Sequence, residues 1–240
     1  MQTLINVSNR LPVTLGKTIT KSSGGLVSAL EGFGQDYNFK WVGWSGGHIA
    51  EAARRSDTDR RKKVAEELKE RFNYVPIFLS KDQVQQYYTG FSNSSLWPLL
   101  HYLPSYAQYD RRWFEAYRTV NTIFADTVAQ VADNGSLVWV HDYHLMLLPE
   151  MIRWRRPDLK IGYFLHTPFP SYEIFRCHPN RRELLKGLLG ADLIGFHTSG
   201  YLRHFRSAVL RVLGLESEIN SISVDNNSAE IGVYPISIPV

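Results

Sequence analysis

The segments Val138-Trp-Val-His-Asp-Tyr-His144 and Ile161-Gly-Tyr-Phe-Leu-His-Thr-Pro-Phe-Pro170 decide the fold. Each is a short apolar run that stops abruptly at polar, ring-bearing residues. Such a run predicts a strand buried on both faces, as in parallel sheets covered by helices. In an open parallel sheet the ligand crevice lies just beyond the carboxyl ends of the strands. Asp142 and His166 stand at those two ends, so the sequence points to a site there.

The same pattern extends in both directions. Leu4-Ile-Asn-Val7 predicts a strand, Ser8-Asn-Arg-Leu-Pro12 a loop, and Leu26, Val27, Leu30 and Phe33 a helix opening at Ser22-Ser-Gly-Gly25. Phe39 to Trp44 alternates as a second strand ending in Ser45-Gly-Gly47, and Tyr74 to Leu79 is a third. Between them Val64, Leu68 and Phe72 recur every four residues behind the basic cluster Arg60-Arg-Lys-Lys63, which predicts a solvated amphipathic helix. Ser80-Lys-Asp-Gln83 has the form of a capping box opening the helix that carries Val84, Tyr87 and Tyr88. A long amphipathic helix is expected from Trp113 to Ala132. Beyond it we expect a strand at 137–141, a helix at 144–156, a strand at 160–165, helices through Leu189, a strand at 192–196, a helix at 200–213 and a last strand near 231–236. The polar stretch from Ser217 to Ser228 reads as a loop or a weak strand pair. Strands alternating with helices imply right-handed crossovers and a doubly wound, Rossmann-like parallel α/β sheet, here one domain over residues 1–240.

Composition narrows the class. The net charge of +4 is mild and the basic residues are mostly scattered, so no nucleic-acid partner is expected. A single cysteine, Cys177, cannot form an intrachain disulfide, and Met1 leads straight into a strand pattern without a leader, so a cytoplasmic location is expected. No apolar stretch approaches the roughly 18 residues of a membrane span; Pro149 and Glu150 interrupt the best candidate. The sequence stops just after a strand, at Ile238-Pro-Val240, where an α/β unit continues into a loop and helix. That end is expected to be a cut.

Several residues carry two readings. Gly24 and Gly25 at a helix start either cradle a phosphate or make a tight turn; they lack the spacing of a dinucleotide fingerprint or a P-loop. Arg10 after the first strand suits bidentate phosphate recognition or a surface ion pair. Asp142 either accepts hydrogen bonds from sugar hydroxyls or caps the helix after it. His166 is a contact in the cleft or a hydrogen-bonded core histidine, and Trp44, Tyr88, Trp97 and Tyr102 form a sugar-binding wall or part of the core. His141, Asp142 and His144 have metal-ligating side chains, but adjacent strand positions point to opposite faces and no other ligands complete a shell. No metal site is expected.

Together these segments carry a resemblance. Ser8-Asn-Arg10, Ser23-Gly-Gly-Leu26, Gly43-Trp-Ser-Gly46, Tyr87-Tyr88 with Phe91-Ser-Asn93 and Leu96-Trp-Pro98, His141-Asp-Tyr-His144, Phe164-Leu-His-Thr-Pro-Phe-Pro170, the run from Gly187 to Thr198 and Val233-Tyr-Pro-Ile236 occur in the order found in trehalose-6-phosphate synthases. The chain is thus similar, over nearly its whole length, to a family of retaining glucosyltransferases with the two-domain GT-B fold. The resemblance implies that residues 1–240 are the N-terminal, acceptor-side half, and that the reaction moves glucose from UDP-glucose to glucose 6-phosphate. It implies that Arg10 contacts the acceptor phosphate and that Tyr88, Trp97 and Asp142 hold the acceptor sugar. Trp97 and Thr167 would shape anomer selectivity, although Ile is common where this chain has Thr167. Gly24 and Gly25 would approach the donor pyrophosphate and His166 the transferred glucose, so that Asp142 and His166 are the catalytic candidates. No cofactor is implied beyond UDP-glucose as co-substrate.

The donor-gripping segments of that family lie in a C-terminal domain outside this sequence, so the chain alone is expected to be inactive or nearly so, and its exposed interdomain face leaves homo-oligomer formation open. Retention without an enzymic nucleophile fits front-face attack, in which the departing phosphate takes the acceptor hydroxyl proton. It also accounts for the missing second carboxylate, which a retaining hydrolase places about 5 Å from the first. Two other readings stand beside this one: a glucosyltransferase for another phosphorylated acceptor such as glycerol 3-phosphate, and a non-catalytic sugar-phosphate-binding module.

Overall fold

The structure, a computed structural model, describes residues 2–16, 18–22, 37–49, 55–224 and 227–235. Gly24, Gly25 and the helix expected over Leu26 to Phe33 lie outside them. Among the described residues no helix is long and apolar enough to cross a membrane.

The chain opens with β1 (Thr3–Arg10), then a small hairpin of β2 (Val13–Leu15) and β3 (Ile19–Lys21). There follow β4 (Asn38–Ile49), α1 (Arg55–Phe72) and β5 (Tyr74–Ser80). The fully buried Leu68 of α1 joins Leu11, Val13, Ile19, Trp41 and Tyr74 in a small apolar cluster, which fastens the hairpin to the sheet. The capping box forms: the Ser80 amide donates to Gln83 Oε1 at 2.9 Å and the Gln83 amide to Ser80 Oγ at 3.1 Å. It opens a helical stretch made of α2 (Lys81–Gln83), a π-helical run Val84–Leu96 and α3 (Trp97–Leu100). The Ser92 and Ser94 hydroxyls donate to carbonyls five residues back, Tyr87 O and Thr89 O, in keeping with the wider turn.

After α4 (Arg111–Val131) the units are β6 (Leu137–His141), α5 (Leu148–Arg155), β7 (Lys160–Leu165), the short α6 (Tyr172–Phe175), α7 (Arg181–Leu188), β8 (Leu193–Phe196) and α8 (Ser199–Leu213). An antiparallel pair, β9 (Ser221–Val224) and β10 (Asn227–Val233), completes the sheet. The expected helix at 144–156 is in fact a 3-10 turn, Tyr143–Leu145, followed by α5. The last strand begins earlier than 231, since its first half pairs with β9 and its second half, Glu230–Val233, pairs with β8. The polar stretch therefore contains a strand pair.

The sheet has eight strands in the order β5-β4-β1-β6-β7-β8-β10-β9, parallel throughout except for β9. Thus the chain runs outward from β1 through β4 to β5, then returns across α4 to lay β6 against the other side of β1. A doubly wound sheet reverses direction at such a place, and the two loops leaving it diverge. The crevice must lie beyond the carboxyl ends of β1 and β6. Replacing Ser80 with Ala removes the cap of the helical stretch beside that crevice; unfolding in urea should show a loss of about 1 kcal/mol with an unchanged slope.

Candidate functional site

Arg10 is aimed by an irregularity in β1. Val7 pairs with Val42 but Arg10 with Trp44, so three steps on β1 match two on β4 and the strand bulges. The Ser8 hydroxyl donates to Arg10 O at 2.8 Å and accepts from the Trp41 indole at 2.8 Å, which pins the bulge. Gly43 lets β4 lie against it, for a Cβ there would come within 2.8 Å of the Leu11 amide nitrogen. The exposed guanidinium lies over the Trp44 ring, 5.3 Å from its centroid. It also covers Gly46, where φ is +85° and a Cβ would fall 2.5 Å from Arg10 Nη2. Among the described residues no carboxylate pairs with Arg10.

From Trp44 a file of rings crosses the switch point. Tyr88 is tilted against Trp44 at 5.9 Å and stacks on His144 at 5.7 Å; Tyr143 lies 4.0 Å from His144 and 5.6 Å from Trp97. Trp44, Tyr143 and His144 are buried, Tyr88 is half-buried and Trp97 is exposed. Three of the four rings singled out in the sequence, Trp44, Tyr88 and Trp97, thus lie in one file joined by Tyr143 and His144. Tyr102 belongs elsewhere: its hydroxyl lies 3.2 Å from His204 Nδ1.

Asp142 follows β6 with φ +71° and ψ 170°, a region almost reserved for glycine, at a cost of order 1–3 kcal/mol. Its amide donates to Phe164 O at 2.8 Å and its side chain caps no helix, so the capping alternative fails. The loop is held from behind by α4. The buried Tyr117 hydroxyl donates to Tyr143 O at 2.7 Å and accepts from the Met146 amide at 2.9 Å, while the buried Asn121 amide donates to His144 O at 3.2 Å. Asp142 Oδ1 is buried with no hydrogen-bond partner among the described residues. Burial raises the carboxyl to about 6, although the amides of Tyr143, His166 and Thr167 oppose the rise.

His166 leaves β7 beside this carboxylate. Its Nε2 lies 2.9 Å from His141 Nδ1, and His141 Nε2 lies 2.6 Å from Asn6 Oδ1 in β1. Burial, with the neighbouring His197, depresses His166 to about 4, and burial, with the neighbouring His166, holds the enclosed His141 well below its ordinary value. Both rings are neutral near pH 7. Thr167 Oγ1 and both His144 nitrogens are buried without partners, and burial holds His144 down to about 3. Such atoms cost about 1–3 kcal/mol each unless something bonds them. Among the described residues no three His, Cys, Asp or Glu side chains are placed to hold a metal. Hydroxyls and a phosphate suit the arrangement.

The structure thus brings together Arg10, Tyr88, Trp97, Asp142, His166 and Thr167. Sequence reasoning missed Asn6, Tyr117, Asn121 and His197. The available signal for Asn6 was an amide in the middle of the apolar run Leu4-Ile-Asn-Val7; for Tyr117 and Asn121 it was polar atoms four apart on the apolar face of α4.

Asp142 lends itself to two tests. Because its backbone suits glycine, Asp142→Gly should be more stable than Asp142→Ala by about 1 kcal/mol or more in urea unfolding. A carboxyl raised in the folded state stabilises it below the unfolded value of 3.8, and that contribution disappears as pH rises through about 6. The rise corresponds to at most about 3 kcal/mol. Asp142→Asn should therefore gain stability relative to the parent between roughly pH 4 and pH 7; unfolding curves at both values with a constant difference would contradict a buried, raised carboxyl.

The chain is 46% identical to "Alpha,alpha-trehalose-phosphate synthase [UDP-forming] 56 kDa subunit" of Saccharomyces cerevisiae, over 99% of this chain and 49% of that protein. A Burkholderia xenovorans alpha,alpha-trehalose-phosphate synthase (UDP-forming), solved in complex with glucose-6-phosphate, superposes with a TM-score of 0.81 at 29% identity, over 98% of this chain and 50% of the other. The structure named "Trehalose-6-phosphate from E. coli bound with UDP-2-fluoro glucose" superposes with a TM-score of 0.82 at 29% identity, over 98% and 49% respectively. The chain spans about half the length of the curated relative it matches. The family model for glycosyltransferase family 20 matches residues 2–240, and the chain belongs to that family.

Proposed function

We propose that this chain is the acceptor-side domain of a retaining α,α-trehalose-phosphate synthase, which transfers glucose from UDP-glucose to glucose 6-phosphate and releases UDP. One observation carries the proposal. At the β1–β6 switch point a file of rings runs from Arg10, which pairs with no carboxylate among the described residues, through Trp44 and Tyr88 to His144, whose two buried ring nitrogens have no partner among them. A phosphorylated sugar supplies what each part lacks: an anion for Arg10, and hydroxyls for Asp142 and its neighbours. The names and bound ligands of the relatives support the same assignment.

In this reading Arg10 grips the acceptor phosphate, while Tyr88 and Asp142 hold the acceptor sugar against the rings. Asp142, ionised above about pH 6, accepts a hydrogen bond from an acceptor hydroxyl and fixes its direction. Trp97 and Thr167 restrict the orientation in which the sugar sits, and His166 touches the transferred glucose. Gly24 and Gly25 would approach the donor pyrophosphate. The acceptor oxygen attacks the anomeric carbon from the face UDP leaves, the bond to the UDP oxygen breaks, and a departing phosphate oxygen takes the hydroxyl proton. A second, C-terminal domain would grip the donor, so residues 1–240 alone would turn over slowly or not at all. The proposal includes a cytoplasmic location, no metal or cofactor beyond the co-substrate, no nucleic-acid or membrane partner, and an oligomeric state left open.

Calorimetric titration of the chain with glucose 6-phosphate, UDP-glucose and glycerol 3-phosphate tests this. Glucose 6-phosphate should bind in preference to glycerol 3-phosphate, and Arg10→Ala or Asp142→Ala should each weaken it roughly ten- to a hundred-fold, the loss of one charge-assisted hydrogen bond. Tighter binding of glycerol 3-phosphate would move the acceptor assignment to a smaller molecule. Sugar-phosphate binding with no turnover after mixing with a family C-terminal half would favour a binding module.

A further inference from the structure

We propose that Asn6 and His141 are positioning residues that hold His166 in a single tautomer, its proton on Nε2 and its Nδ1 bare, so that His166 meets a ligand hydroxyl only as an acceptor. Donors and acceptors along this buried line match in one order. Asn6 Oδ1 can only accept, so the proton of the neutral His141 must lie on Nε2, 2.6 Å away. His141 Nδ1 then carries only a lone pair. His166 Nε2, 2.9 Å from that lone pair, must donate to it, which leaves His166 Nδ1 without a proton.

Three further observations support this order. The 2.6 Å contact is already short for N–H···O and leaves less room for the N–H···N pairing that a reversed Asn6 amide would require. Asn6 is fully buried in β1, its Nδ2 has no partner, and its one side-chain hydrogen bond among the described residues is the bond to His141. A buried amide kept at that cost, in a strand of apolar neighbours, has His141 as its single visible purpose. His141 is itself enclosed and lies against Trp139, with ring centroids 4.8 Å apart, so its ring cannot turn over, which would put carbons where its nitrogens stand, without disturbing that packing. The low proton affinity of both rings keeps the chain of bonds neutral.

For the site this excludes a role. A histidine locked in this form cannot protonate a leaving group through Nδ1, and it recognises a hydroxyl that donates. The identity of that hydroxyl, on the transferred glucose, rests on the function proposed above; the tautomer does not.

Two-bond nitrogen–proton NMR of the chain with 15N-labelled histidine separates bare from protonated ring nitrogens. The expected spectrum at neutral pH has His141 and His166 both protonated on Nε2, with the Nδ1 resonance of each at the downfield, bare position. In His141→Phe the constraint is gone, and the His166 pattern should shift toward a mixture of tautomers. In Asn6→Asp a carboxylate draws a second proton onto His141, whose Nδ1–H then faces His166 and should move the His166 proton to Nδ1. His166 protonated on Nδ1 in the parent chain, or unchanged on Nε2 in His141→Phe, would overturn the proposal. If Asn6→Asp does not fold, the parent and His141→Phe still decide it. Loss of sugar binding with the expected tautomers intact would instead count against the functional reading alone.

Discussion

The molecule is organised by β1, the one strand from which the sheet grows in both directions. Because it pairs with β4 on one side and β6 on the other, the sheet reverses direction at this strand and its carboxyl end stands at the switch point. Leu4, Ile5 and Val7 make core, whereas Asn6, Asn9 and Arg10 reach His141, Tyr87 and Trp44 respectively. Three walls of the site are thus referred to a single strand.

Sequence patterning disclosed much of this and missed parts for identifiable reasons. Asp142 and His166 were legible because a buried parallel strand ends where its apolar run ends, and that boundary is written in one dimension. The bulge that aims Arg10 was not, since it depends on how Gly43 of another strand approaches Ser8. The apolar spacing of Val84 and Tyr87 announced a helix but not its wider turn, which is a matter of which carbonyl each amide chooses. β10 began early because it takes a second partner, β9, before it reaches β8. Tyr102 looked like one more ring of the wall until the fold placed it against His204.

The site also stores tension. A non-glycine residue in a glycine conformation, an unpaired buried carboxylate oxygen and two unpaired histidine nitrogens all oppose folding. They are tolerated because the surrounding core is large and because neighbouring groups over-determine their positions. A ligand that bonds those atoms would recover part of that tension as affinity, and recovers it only if it carries its polar groups at the right spacing.

In Tyr117 the core and the site share one side chain. It sits on α4 among apolar residues, fully enclosed, and its hydroxyl spans the Tyr143 carbonyl and the Met146 amide. No ligand in the cleft could touch it. Yet the ring supports the packing of the crossover helix while the oxygen sets the curvature of the loop that presents Asp142. Such a position cannot drift freely even among side chains of equal size: phenylalanine would satisfy the packing and abandon the loop. The demands of the candidate site therefore reach into the hydrophobic interior, and its boundary lies a full helix deeper than the surface.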